Sequence, residues 1–247
     1  MGPFRKISND ERLFKSCKRI SRGAVKLVFY SGGDEEDNEN VDQACLDLID
    51  NPNPTFVFIP SSSYDGEAEF HEFVESWQDY GITRFIYFPV DIPQDRVLMK
   101  EVFQSDLIHL GGGNTFYFLK YLRQYGYLEF LREYVLMGKV LTGLSAGAIM
   151  MTPNIKTASY PSFDRDENEE GVRNLKALGL VRFEFFPHYK NSLRYDRELL
   201  AKSKNLRHPL FALPDGSGLI KNEEQLSFIG KAWAFKNGTK ILINSES

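Results

Sequence analysis

Lys139-Val-Leu-Thr-Gly-Leu-Ser145-Ala-Gly-Ala-Ile149 is the stretch on which the reading of this chain turns. A short apolar run enters Gly143-Leu144-Ser145-Ala146-Gly147 and a second apolar run leaves it. That is the spacing of a strand, a tight turn and a helix, with the serine hydroxyl pushed out at the turn. The small residues beside the serine suit a backbone that is strained and closely packed. A helix beginning at the serine directs its free N–H groups toward negative charge developing nearby. The same five residues would also serve as a plain small-residue turn between a buried strand and a buried helix, so the surrounding sequence decides between the two.

Upstream, Asp106-Leu-Ile-His-Leu110 reads as a strand that runs into Gly111-Gly-Gly-Asn-Thr115, with helical spacing from 116 to 123. Three glycines permit a tight loop whose N–H groups converge on an anion or an oxyanion. It is not a dinucleotide fingerprint, because Phe116 stands where the third glycine would be, and no Gly-Lys-Ser/Thr closes a Walker A loop. A serine hydroxyl is a weak nucleophile without a base. Of the four histidines, His71 lies on an amphipathic helical segment, His109 sits inside the strand feeding the glycine loop with a packing or hydrogen-bonding role, and His208 reads as loop before Pro209. His188 ends the apolar run 181–187, where a parallel strand would deliver it to the carboxyl edge of a sheet. Ligand sites in open α/β sheets collect at that edge.

Apolar runs at 25–30, 55–59, 84–88, 106–110 and 140–142 alternate with helical patterns, which predicts a mostly parallel sheet covered on both faces. The acidic run 34–40 reads as a solvated loop or a helix start. Short segments at 210–213, 218–220, 226–229 and 232–235, joined by Asp215-Gly216 and Asn237-Gly238 turns, predict antiparallel additions. With 247 residues, 42% hydrophobic and 14% aromatic, the chain can bury a large core. A net charge of -4 and the lack of a basic stripe give no reason to expect a nucleic-acid partner. Cys17 and Cys45 make neither a disulfide scaffold nor a thiolate metal site, and the histidines form no metal-binding cluster. No apolar run approaches a membrane span and no signal peptide is visible at the start, so cytoplasmic residence is the expectation.

Taken together, Gly111-Gly-Gly-Asn-Thr115, Ser145-Ala-Gly-Ala148 and Pro187-His188-Tyr189 resemble, in that order, the S51 family of serine peptidases, the group of peptidase E and cyanophycinase, over roughly residues 52–235. The resemblance implies a three-layer flavodoxin-like sandwich with a mostly parallel sheet, related to class I glutamine amidotransferases, in a single α/β domain over 1–247. It implies Ser145 as nucleophile, His188 as base, and an oxyanion hole from Gly112, Gly113 and the Ala146 N–H. Family members commonly carry the orienting aspartate after the elbow helix. A gap-free match places Tyr160 there, while a short insertion brings Asp164 into register. Asp164 is therefore the expected third residue and Asp166 the next candidate, in a stretch 164–170 that otherwise reads as a solvated acidic loop. The family arginine beyond the histidine, which holds a substrate carboxylate, falls near Arg197, with Arg194 one helical turn before it. Asn114 is grouped with them as substrate-binding.

The reaction implied is serine-type exopeptidase hydrolysis of short peptides, with dipeptides carrying an N-terminal aspartate as the case the arginines point to. No cofactor or metal, no nucleic acid and no membrane is expected, and the chain is expected to be a monomer or homodimer. Two other readings stay open. One is an α/β-hydrolase esterase, which shares G-x-S-x-G and the order serine, acid, histidine. The other is a glutamine amidotransferase-like protein with altered or lost catalysis, which the unsettled acid keeps in play.

Overall fold

The computed structural model describes residues 24–243. Cys17 and the amino-terminal start read above lie outside them. Strand β1 (Lys26–Tyr30) leads to helix α1 (Glu35–Leu46), β2 (Thr55–Ile59) to α2 (Gly66–Asp79), and β3 (Arg84–Tyr87) to α3 (Arg96–Gln104). Then β4 (Leu107–Leu110) leads to α4 (Thr115–Gln124) and α5 (Tyr127–Leu136), and β5 (Val140–Leu144) to α6 (Ala146–Met151). After a long connection come β6 (Glu184–Phe186), α7 (Leu193–Ser203), β7 (Leu210–Ala212), β8 (Gly218–Asn222), β9 (Gln225–Ile229), β10 (Ala232–Lys236) and β11 (Thr239–Ile243).

The main sheet has the order β3-β2-β4-β5-β1-β8-β9. Its first five strands run parallel, and the β8–β9 hairpin continues it antiparallel from β1. Successive side chains of a strand point to opposite faces, and the core follows that alternation. Leu27, Phe29, Val57, Ile59, Ile108 and Leu110 face one cluster with α3 to α6. Val28, Tyr30, Phe56, Phe58 and Leu107 face the other, with Val41 and Cys45 of α1 and Phe73 and Trp77 of α2. The β1, β2, β4 and β5 runs read as nearly continuous apolar sequence because both faces are covered. Burying each such side chain contributes roughly 1.5–3 kcal/mol, so the central strands are the best-fixed part of the molecule.

One open reading is decided here and one expectation changes. The run 34–40 is a helix start: α1 begins at Glu35, and the Asp34 N–H donates to the Asp37 carboxylate at 3.3 Å. The run 181–187 yields only a three-residue strand, and that strand lies outside the main sheet. It belongs to a second sheet, β11-β10-β7-β6, in which β6 and β7 pair parallel while β10 pairs antiparallel with β7 and β11. Phe183 and Phe185 pack on Phe29 with ring centroids 5.2 and 5.3 Å apart. The second sheet is thereby seated on the face of β1, and its carboxyl end meets the carboxyl edge of the first.

Candidate active site

Ser145 sits immediately after β5, in the middle of the main sheet, with φ 50° and ψ -106°. A positive φ at a non-glycine residue is costly and persists only where the surroundings enforce it. Here they do. A Cβ on Gly143 would stand 2.4 Å from the Gly147 carbonyl carbon, and one on Gly147 would stand 2.1 Å from the Leu110 carbonyl oxygen. Helix α6 therefore leaves the turn pressed against β4, and the Ser145 N–H is anchored to the Tyr30 carbonyl at 3.1 Å.

His188 follows β6 with φ 53°, and its ring lies between two partners. Nε2 is 2.8 Å from Ser145 Oγ, and Nδ1 is 2.7 Å from Asp215 Oδ1. An ionised carboxylate only accepts hydrogen bonds, so Nδ1 carries the proton and Nε2 is left to accept from the serine hydroxyl. The His188 and Asp215 side chains are each 47% exposed, so the arrangement opens to solvent. Gly32, just after β1, makes room for it: a Cβ there would lie 2.2 Å from Asp215 Oδ1 and 2.3 Å from His188 Cε1.

The third residue differs from the expectation. Asp164 accepts a hydrogen bond from the Tyr195 hydroxyl, and Asp166 accepts the Thr115 N–H at 2.7 Å, so neither touches His188. Tyr160, the residue in gap-free register, is buried and stacked on Phe186. In the sequence Asp215 reads only as part of a turn. Asn114 also departs from its expected substrate role. Its Oδ1 caps α4 by accepting from the Phe116 and Tyr117 N–H groups at 3.0 Å, and its Nδ2 donates to the Glu167 carbonyl at 2.9 Å. The acidic loop is thus tied to the start of α4 and to α7 as a structural strap.

The glycine loop lies at the end of β4, next to the elbow. The Gly111 N–H is spent on the Ile59 carbonyl at 2.8 Å, whereas the N–H groups of Gly112 and Gly113 make no hydrogen bond with a described residue. Gly113 has φ 111°, and a Cβ there would strike Ser61 Oγ at 2.1 Å, so only glycine fits. Arg194 and Arg197 share one face of α7, which starts five residues beyond His188. The Arg194 guanidinium stacks 3.6 Å above the Phe163 ring, and Arg197 is exposed. The acids beside them in sequence are engaged elsewhere: Asp196 with Lys240 and Tyr189, and Glu198 with the Ser162 N–H. His109 is buried, with Nδ1 2.7 Å from Thr142 Oγ1, and burial pushes its pKa down to about 3. It is a core residue. Among the described residues no cluster of three or more His, Cys, Asp or Glu is placed to hold a metal ion, and no helix is long and apolar enough to cross a membrane.

The Peptidase family S51 model matches residues 27–229. An uncharacterized peptidase of Listeria innocua is 40% identical over 88 residues, which span 36% of this chain and 41% of that one. The aligned segment therefore covers less than half the length of that relative. A peptidase E of Shewanella denitrificans is 28% identical over 189 residues, covering 71% of this chain and 74% of its own. The crystal structure of a Listeria monocytogenes protein superposes with a TM-score of 0.67 at 21% identity, covering 83% of this chain and 98% of that one. The shared fold is the flavodoxin-like, glutamine amidotransferase-like sandwich. With that match over most of its length, the chain belongs to peptidase family S51.

Proposed function

We propose that this peptidase is of the serine type and acts as an exopeptidase on short peptides through an acyl-enzyme. One observation carries the reading: a single imidazole bridges Ser145 Oγ at 2.8 Å and Asp215 Oδ1 at 2.7 Å. In the first half-reaction His188 Nε2 takes the hydroxyl proton as Oγ bonds to the peptide carbonyl carbon. The resulting oxyanion is held by the N–H groups of Gly112, Gly113 and Ala146. His188 then passes its proton to the leaving amine as the C–N bond breaks. Water attacks the ester by the same steps in reverse, giving its proton to His188 and returning one to Ser145. Asp215 keeps the Nδ1–H tautomer in place and stabilises the imidazolium.

The substrate reading rests on Arg194 and Arg197. A guanidinium matches a carboxylate with two parallel hydrogen bonds, which fits an N-terminal aspartate. The chain order is serine, histidine, aspartate, whereas α/β-hydrolases use serine, acid, histidine. The carboxylate on His188 also supports an active enzyme over a catalytically altered protein. Turnover of Asp-Leu and Asn-Leu by the wild type, Ser145→Ala and Arg197→Met tests the reading. Ser145→Ala is expected to lose nearly all activity while remaining folded. The aspartyl peptide is expected to be faster by at least about tenfold, or about 1.4 kcal/mol of transition-state binding, and Arg197→Met to erase that preference. Unchanged turnover in Ser145→Ala contradicts the serine mechanism. Equal rates on the two peptides contradict the aspartyl preference alone.

A further inference from the structure

We propose that Ser31 is the positioning residue that sets the catalytic imidazole in line, an inference that rests on the roles given to Ser145 and His188 above. Ser31 follows β1 and is fully buried. Its Oγ donates to the Leu213 carbonyl at 2.6 Å, and the His188 N–H donates to the same Oγ at 2.9 Å. A hydroxyl has one proton and two lone pairs. With the proton committed to Leu213, the oxygen is left to accept from His188, so both bonds are held at once. The Ser31 N–H is fixed in turn by the Ser217 carbonyl at 3.1 Å, and the Gly216 N–H by the Gly32 carbonyl at 2.9 Å.

Three consecutive residues therefore frame the reacting groups. The Tyr30 carbonyl anchors the Ser145 N–H, the Ser31 hydroxyl anchors the His188 N–H, and Gly32 leaves space for the His188–Asp215 pair. Leu213, two residues before Asp215, accepts from both Ser31 Oγ and the Tyr189 N–H at 2.8 Å. Ser31 is thus a joint between the main sheet and the second sheet that supplies base and acid. The joint matters because the side-chain bonds of His188 do not suffice alone. Both His188 and Asp215 are half-exposed, where water competes for the same atoms. His188 also holds a positive φ, a conformation that its surroundings must enforce. Without the hydroxyl, the His188 N–H loses its acceptor and the ring is free to drift from Ser145. Displacements near 1 Å in such a constellation cost on the order of a hundredfold in rate.

Ser203 provides a matched control. It too is fully buried, and its Oγ donates to the Leu200 carbonyl at 2.9 Å and accepts the Gly238 N–H at 3.0 Å, at the end of α7 against the turn between β10 and β11. Steady-state kinetics of Ser31→Ala and Ser203→Ala, at a temperature where circular dichroism shows both folded, separate positioning from stability. On whichever of Asp-Leu and Asn-Leu is turned over faster, Ser31→Ala is expected to lower kcat by at least about tenfold with KM within about twofold. Ser203→Ala is expected to lower the melting temperature but leave kcat unchanged. If Ser31→Ala does not fold, Ser31→Cys, similar in shape but a poor acceptor, takes its place. Equal kcat in the Ser31 and Ser203 variants overturns the positioning role while Ser145→Ala remains inactive. Wild-type turnover in Ser145→Ala overturns the nucleophile assignment, and the role of Ser31 falls with it.

Discussion

A carboxylate orients an imidazole through a direct hydrogen bond to the nitrogen that does not face the nucleophile. Asp215 makes that bond, and Asp164 spends its oxygen on Tyr195. Asp215→Asn is therefore expected to lower kcat by at least about a hundredfold, because the amide no longer enforces the Nδ1–H tautomer. Asp164→Asn, which keeps an acceptor for the tyrosine, is expected to change kcat by less than about threefold. A larger loss in Asp164→Asn than in Asp215→Asn, measured on the same peptide, would reverse the assignment. Ser145 and His188 were legible because each ends an apolar run at a sheet edge. Asp215 was not, because Asp-Gly is a turn signal and the turn is real, with Gly216 at φ 71°. Its contact with His188 depends on β6 lying beside β7, a pairing that no local pattern encodes. The Gly32 gap is hidden for the same reason: its neighbours are more than 150 positions away along the chain.

Among the elements, β4 with its glycine loop and β5 with its elbow could be read from sequence because strand, glycine and helix follow one another directly. The second sheet was legible only in part: the segments 210–213 and 232–235 and the Asn237-Gly238 turn predict antiparallel strands, and β10 does pair so with β7 and β11, but nothing local shows that they form a separate sheet with β6. Its strand β6 has three residues, and its apolar side chains are shared between two packing partners. Strand β4 also carries a pH-dependent contribution to stability. Burial pushes the His109 pKa down to about 3, while an unfolded histidine titrates near 6.5. Below pH 6.5 the unfolded chain takes up a proton that the folded chain refuses, so stability falls as pH drops from about 6.5 toward 3. Between pH 7 and pH 5 this amounts to about 2 kcal/mol. His109→Gln is expected to flatten that part of the curve in denaturant titrations at the two pH values. An unchanged slope would mean that His109 accepts its proton in the folded state.

For the molecule as a whole, the three layers bring five separate stretches to one edge: the end of β1, the glycine loop after β4, the elbow after β5, and the two loops that leave the second sheet. The class of fold follows from alternating βα units and was legible. The meeting of the two sheets over Phe29 was not, because it is a packing event between segments far apart in the chain. That meeting brings His188 and Asp215 to Ser145, on which the proposed mechanism rests, and covalent trapping examines it directly. After treatment with a fluorophosphonate, intact-mass and peptide mapping are expected to find a single adduct on the peptide carrying Ser145. Labelling is expected to be slowed in Asp215→Asn and His188→Ala and absent in Ser145→Ala. An adduct on another residue, or labelling of Ser145→Ala at the wild-type rate, would contradict the Ser145–His188–Asp215 site.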